Sequence, residues 1–167
     1  GLSEAGAETV RRANATHPVS DLQIEYSLFS RNIESSILPT TRELGIGITA
    51  YGVLARGLLS GNWSGKQAEA RDIRANHPRF SGENLAHNLA LVEALRSIAS
   101  EKNVTVGQLA IAWVASRGND ILPLIGSRKR SQLAEALGAL DVRLSSDDLA
   151  RIERAVPARA ARGDRYP

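Results

Sequence analysis

The sequence contains no cysteine and no methionine. Without cysteine the chain can form neither disulfide bonds nor thiolate metal sites, and we predict a cytoplasmic protein with no bound metal. Without methionine there is no initiator residue ahead of Gly1. We therefore expect that Gly1 follows a removed segment or that this chain is part of a longer protein.

Long apolar stretches are also missing. None approaches the roughly 20 residues of a transmembrane helix, and the first residues lack the charged-then-apolar order of a secretory signal. Apolar residues make up 43% and charged residues 23% of the 167, which is typical of a soluble globular domain. The net charge is only +3. These totals predict neither a membrane partner nor a nucleic-acid partner.

Strand-like and helix-like segments alternate along the chain. Short segments that are β-branched or alternate apolar with polar residues predict strands at 22–26, 46–52 and 121–126. Segments with apolar residues on one helical face are typical of amphipathic helices. They predict helices at residues 5–16, 33–44, 85–102, 105–118, 131–139 and 145–156.

This alternation predicts an α/β fold with a parallel sheet. Three strands do not close a barrel, which takes about eight in the common (β/α) form. We therefore interpret residues 1–167 as a single domain that is the carboxy-terminal part of a larger one. Residues 54–84 are predicted to be a long loop that is functional or mobile, and residues 157–167 a loose polar tail. A half-barrel alone would expose its strand edges, so we expect it to pair with its missing half or with another copy as a homo-oligomer, or else to aggregate.

The segment that follows the last predicted strand predicts an anion site. Gly126 ends the strand and allows a ligand to approach the backbone. Ser127 and the basic residues 128–130 then precede a helix, whose amino-terminal N–H groups and dipole favour a phosphate. Arginine can direct two donors at one phosphate. A solvated basic turn is the alternative interpretation of the same residues.

Gln132 and Glu135 are three residues apart on the helix that follows. This spacing places both side chains on one face. They either contact a polar ring beside the phosphate or belong to an ordinary solvated surface.

Several motifs together resemble the carboxy-terminal half of the aldo-keto reductase family. They are "GLSE", "LQIEYSLFSR", "GIGITAYGVLARGLLSG", "LPLIGSRKRSQLAEALGAL" and the closing "GDRYP", which occur in the family's order over nearly the whole chain. The resemblance implies a (β/α)8 TIM barrel of which this chain covers roughly the second half. It also implies that NADPH binds in an extended conformation.

The resemblance assigns cofactor roles residue by residue. Ser3 and Gln23 match the partners of the nicotinamide carboxamide, with Glu4 standing where the family usually has Asn. Tyr51 matches the aromatic residue that stacks on the nicotinamide ring, and a flat π face suits that task. Arg79, in the long loop, is implied to close over the cofactor.

The resemblance also assigns residues to the adenosine and pyrophosphate parts of the cofactor. Ser127 and Arg128 match the site of the adenosine 2′-phosphate, which would favour NADPH over NADH. Gln132 and Glu135 match the adenine contacts. The loop that wraps the pyrophosphate corresponds to Gly52, Val53, Leu54 and Gly57.

The resemblance implies NADPH-dependent reduction of small aldehydes or ketones. The family's catalytic Asp, Tyr, Lys and His belong to the amino-terminal half of the barrel, so we assign no catalytic residue to this chain. The alternative is a non-catalytic NADP(H)-binding or regulatory half-barrel that lacks this set. A third interpretation, nucleic-acid binding, depends only on the basic balance and on residues 128–130, and we do not favour it.

Overall fold

The alternating segments form a parallel sheet covered by helices. The structure is a computed structural model that describes residues 1–63 and 71–166. In these ranges one four-stranded sheet follows the chain order, with every neighbouring pair parallel. Its strands are β1 (Leu2–Ser3), β2 (Asp21–Glu25), β3 (Gly47–Tyr51) and β4 (Ile121–Pro123). The sequence predicts only three strands, because the two residues of β1 are too few to show any periodicity.

The helices agree with the predicted segments to within a few residues at most ends. They are α1 (Ala7–Thr16), α2 (Ile37–Glu43), α3 (Gly82–Glu101), α4 (Val106–Ala115), α5 (Arg130–Leu137) and α6 (Ser146–Ala155). The predicted helix at 33–44 is divided into a 3₁₀ turn at Asn32–Ser35 and α2. Pro39 is the third residue of α2, where its missing N–H leaves no helical hydrogen bond unmade.

Capping residues determine where two of these helices begin. The Thr105 hydroxyl accepts a 3.1 Å hydrogen bond from the Gln108 backbone at the start of α4. The Ser145 hydroxyl does the same for the backbone of Asp148 in α6, also at 3.1 Å. Both residues are of the types that satisfy the free N–H groups of a first helical turn.

The two faces of the sheet differ in character. Alternate residues such as Leu22, Ile48 and Ile121 point at the helices and are buried. The other face carries polar side chains, and the Thr49 hydroxyl donates to a carboxylate oxygen of Asp21 at 2.9 Å. Leu122, on that second face, is 67% exposed. An open inner face with helices on the outer face alone is what half of a (β/α)8 barrel presents.

The long segment between β3 and α3 is more structured than a loop. Its described parts contain 3₁₀ turns at Ala55–Ser60, Ile73–Asn76 and Pro78–Phe80, and α3 begins at Gly82. Residues 64–70 of the predicted loop lie outside the described ranges. Within the described ranges no helix has both the length and the apolar character required to cross a lipid bilayer.

Candidate cofactor site

Three adjoining clefts open at the carboxy-terminal ends of the strands. An inner cleft of about 50 Å³ lies next to the end of β3, a central cleft of about 590 Å³ follows, and an outer cleft of about 180 Å³ reaches α5. Gly52 and Arg56 line both the inner and the central clefts, while Gly126 and Gln132 line both the central and the outer clefts. The row is suited to one long ligand, since ligands of α/β folds bind at this end of the strands.

The central cleft has a surplus of positive charge. Arg56, Arg74 and Arg128 line it. The Asp72 carboxylate accepts hydrogen bonds from Arg74. These hydrogen bonds lower the pKa of Asp72 to about 2, and the charge of Arg128 contributes a smaller part. Three cations and one permanent anion leave this cleft favourable to phosphate groups.

The backbone that borders the central cleft is the one predicted to wrap a pyrophosphate. Gly52, Val53, Leu54 and Gly57 all line it. Gly52 has a φ of +67°, and a Cβ at this position would lie 2.9 Å from Cγ of Glu25. A side chain at residue 52 would therefore be strained and would collide with the end of β2.

The outer cleft brings together the residues predicted to bind the adenosine end. Ser127, Gln132 and Glu135 line it, and Ser127 is exposed. The Gln132 side-chain oxygen accepts hydrogen bonds from the backbones of Arg128 (3.0 Å) and Lys129 (3.1 Å). Gln132 therefore caps the start of α5 and occupies two of the N–H groups that the sequence offers to a phosphate.

The inner cleft contains Tyr51, whose hydroxyl lies 3.0 Å from that of Tyr166. Burial raises the pKa of Tyr51, and the hydrogen bond with Tyr166 and the carboxylate of Glu4 raise it further. The Tyr51 phenol is therefore protonated at neutral pH. Its ring is half-buried at the end of β3, where it can support a flat ligand.

Arg79 lines the inner cleft but does not lie free above it. Its guanidinium donates to the Ser30 hydroxyl at 3.1 Å and lies 3.6 Å from the carboxylate of Glu25. The Ser30 hydroxyl in turn donates to Glu25 at 2.6 Å. All three residues are buried. Arg79 thus balances the buried charge of Glu25, and its closure over a cofactor stays a prediction.

Ser3 and Gln23 are neighbours, as their predicted common task requires. They are directly paired across β1 and β2. The backbone of Glu4 donates to the Gln23 carbonyl at 2.9 Å, and the Glu4 carboxylate accepts from the Glu25 backbone at 3.0 Å. Ser3 is the last residue of β1 and Gln23 the middle residue of β2, and neither is among the residues that line the inner cleft.

A more apolar cleft of about 580 Å³ lies between α4 and α5, and Arg56, Arg74 and Arg128 do not line it. Apolar side chains dominate its lining, among them Ile111, Leu133 and Leu140. It lacks the convergent polar groups that orient a ligand. We therefore place the candidate site in the row of three clefts.

Sequence reasoning missed several residues of the site. Arg56 is inside a quoted motif and Arg74 is in the predicted long loop, so their charge was the available signal. The buried Glu25 and His77 gave no such signal, because their surroundings come from distant parts of the chain. Within the described residues no group of three or more acidic or histidine side chains is placed to bind a metal ion.

His77 is expected to titrate below the ordinary histidine range. It is 5% exposed, its Nδ1 accepts from the backbone of Arg79 at 3.2 Å, and its Nε2 lies 3.0 Å from the Arg165 carbonyl. Burial and the positive charges of Arg56 and Arg79 lower its pKa, against the carboxylate of Glu25. Because the unfolded chain then binds the proton more readily, stability should fall as the pH drops below about 6.5.

An NMR titration of the intact protein checks this pKa directly. His77→Gln should flatten the loss of stability between about pH 7 and 5, since the substituted side chain does not titrate. A His77 midpoint above about 6.5 would contradict the expected shift.

The chain matches known proteins along almost its entire length. A family model described as the aldo/keto reductase family matches residues 1–157. The chain is 43% identical over 166 residues to "Probable aldo-keto reductase 1" of Glycine max, covering 99% of this chain and 48% of that protein.

A solved structure agrees with this likeness. The glycerol dehydrogenase AKR11B4 from Gluconobacter oxydans superposes with a TM-score of 0.87 at 27% identity, covering 93% of this chain and 47% of that one. The chain thus spans about half the length of both proteins. Its sheet and helices are those of half a TIM barrel, as the sequence predicts. The chain therefore belongs to the aldo-keto reductase family.

Proposed function

We propose that the intact protein catalyses the NADPH-dependent reduction of aldehydes or ketones and that this chain supplies the cofactor-binding half of its barrel. The observation that carries the proposal is the row of three clefts, which joins an aromatic platform, a cationic centre and a polar end. Family membership gives the reaction class.

The described residues fit an extended dinucleotide. Arg56, Arg74 and the Gly52 turn would hold the pyrophosphate, and Ser127 with Arg128 would hold the 2′-phosphate. A Cβ at Gly126 would meet no atom within 4 Å, so the backbone there is open to a ligand. The Gln132 side-chain oxygen already accepts two capping hydrogen bonds. To contact adenine through this oxygen, Gln132 would have to share it between the cap and adenine or give up the capping bonds.

The division of labour follows from these positions. The bound cofactor would supply a hydride to the carbonyl carbon. Tyr51 would support the reacting ring, and Ser3 and Gln23 would orient it through the carboxamide. In the family's barrel the proton comes from a tyrosine of the amino-terminal half, whose pKa a lysine lowers.

Transfer of deuterium tests the reaction. Intact protein is incubated with NADPH deuterated at the transferable position and with a panel of aldehydes and ketones. The panel includes glyceraldehyde and dihydroxyacetone, because one relative is named a glycerol dehydrogenase. We expect deuterium on the carbinol carbon of a product alcohol. Absence of any deuterated alcohol, together with tight NADPH binding, would favour the non-catalytic cofactor-binding alternative.

The intact mass of the natural protein separates the same two functions. A mass near twice the 17.9 kDa of this chain would leave room for the catalytic half of the barrel. A mass equal to 17.9 kDa would mean that turnover requires another chain that supplies the catalytic half. We further propose a cytoplasmic location, which the absence of cysteine supports.

A further inference from the structure

The polar tail after α6 follows a fixed path towards the inner cleft. The Asn88 side chain, fully buried in α3, donates to the Arg162 carbonyl at 2.9 Å and accepts from the Arg162 backbone at 2.8 Å. His87 lies 2.9 Å from the Ala160 carbonyl. A Cβ at Gly163, whose φ is +88°, would lie within 2.6 Å of Pro78. This packing differs from the loose tail that its polar composition predicts.

The end of the tail joins the two carboxylates beside the candidate nicotinamide site. The Arg165 guanidinium forms an ion pair with Glu4 at the end of β1 and another, at 3.3 Å, with Glu25 at the end of β2. The next residue, Tyr166, brings its hydroxyl to Tyr51. One short segment therefore contacts the ends of three adjacent strands.

The backbone carbonyls of this segment also accept hydrogen bonds. The Arg165 carbonyl accepts from Arg56 at 3.3 Å and lies 3.0 Å from the ring nitrogen of His77. The Gly163 carbonyl lies 3.4 Å from the Arg79 guanidinium. These partners line the inner cleft, so the tail and the cleft share one polar network.

The charge of this network bears on the redox state of a bound nicotinamide. Glu4 follows Ser3, and Glu25 is two residues beyond Gln23, so both carboxylates adjoin the proposed carboxamide contacts. An oxidised nicotinamide ring carries a positive charge, whereas the reduced ring is neutral. A negative surplus here would favour the oxidised cofactor and a positive surplus the reduced one.

Resting on the proposed function, we propose that residues 163–166 form part of the nicotinamide end of the site. Tyr166 fixes the orientation of Tyr51, and Arg165, together with Arg79 at Glu25, offsets the charges of Glu4 and Glu25. Arg165 is thus a positioning residue that sets the relative affinity for NADP⁺ and NADPH.

Calorimetric titration of the intact protein with both redox forms tests this role. Arg165→Gln should tighten the binding of NADP⁺ relative to that of NADPH by about tenfold, because it removes a positive charge beside the nicotinamide ring. Glu4→Gln should shift the ratio of dissociation constants in the opposite direction, and Arg165→Lys should preserve it. Opposite shifts distinguish a charge effect from loss of packing, which would weaken both forms together. The matched control is Arg162→Gln, because Arg162 is an exposed arginine of the same tail. This substitution should leave the ratio of the two dissociation constants unchanged.

Binding of 2′-phospho-ADP-ribose, which lacks the nicotinamide, separates the possible failures. If Arg165→Gln retains this ligand but leaves the NADP⁺ to NADPH ratio unchanged, the inference is overturned and the proposed function stands. If Arg165→Gln no longer binds this ligand, the Glu4→Gln variant becomes the test of the charge effect. An unchanged ratio of the dissociation constants of NADP⁺ and NADPH in Glu4→Gln then overturns the inference. A natural protein that binds neither redox form overturns the proposed function and the inference with it.

Discussion

Arg128→Ala is expected to weaken NADPH binding by about 10- to 100-fold while changing NADH binding by less than about threefold. Arg128 lines the central cleft and Ser127 the outer one, and the 2′-phosphate is proposed to bind between them, at Gly126, which lines both. The two cofactors differ only in that phosphate, so an arginine that contacts it acts on one of them alone. A charge-assisted hydrogen bond is stronger than a neutral one, which gives the effect its size.

Fluorescence or calorimetric titration of the intact protein with both cofactors measures this selectivity. Lys129→Ala is the matched control, because Lys129 is the next residue, is exposed and does not line any of the three clefts. Its removal should alter both affinities only slightly. Equal losses of NADPH and NADH binding in Arg128→Ala would remove the assignment of the 2′-phosphate site.

Trp113→Ala is expected to lower the free energy of unfolding by about 3–5 kcal/mol. The Trp113 side chain is 1% exposed in α4, and its ring centroid lies 5.5 Å from that of Tyr26 at the end of β2. The guanidinium carbons of Arg31 and Arg117 lie 5.2 and 5.3 Å from the indole, within the range of a cation–π interaction. Removing the indole would leave a cavity between helix and sheet and two arginines without their aromatic partner.

Urea unfolding of the intact protein gives the measurement. Trp113→Phe keeps a ring in the same place and should lose a smaller part of the stability. Ile73→Ala is the exposed control, since Ile73 is 82% exposed and its truncation should cost less than about 0.5 kcal/mol. If Trp113→Ala unfolds at the same urea concentration as the natural protein, the packing of α4 on the sheet is not what stabilises this domain.

The inner cleft shows how far a sequence motif can specify a site. "GITAYG" indicates both the strand and the aromatic residue at its end, and β3 does end at Tyr51 with Gly52 in a left-handed turn. The same motif says nothing of Glu25, His77 or Arg79, which also line this cleft. Their positions depend on how separate segments pack, and long polar side chains have many partners open to them.

The sequence by itself determined the alternation of strands and helices, the start of two helices at Thr105 and Ser145, and membership of the family. Those features depend on hydrogen bonds and on an apolar spacing between residues that are only a few positions apart in the sequence. Only the tertiary structure decided that Arg165, 161 residues from Glu4, forms ion pairs with Glu4 and Glu25 beside the inner cleft. Such contacts arise because parallel strands bring the ends of distant segments to one edge of the sheet, where charge and shape select the partners.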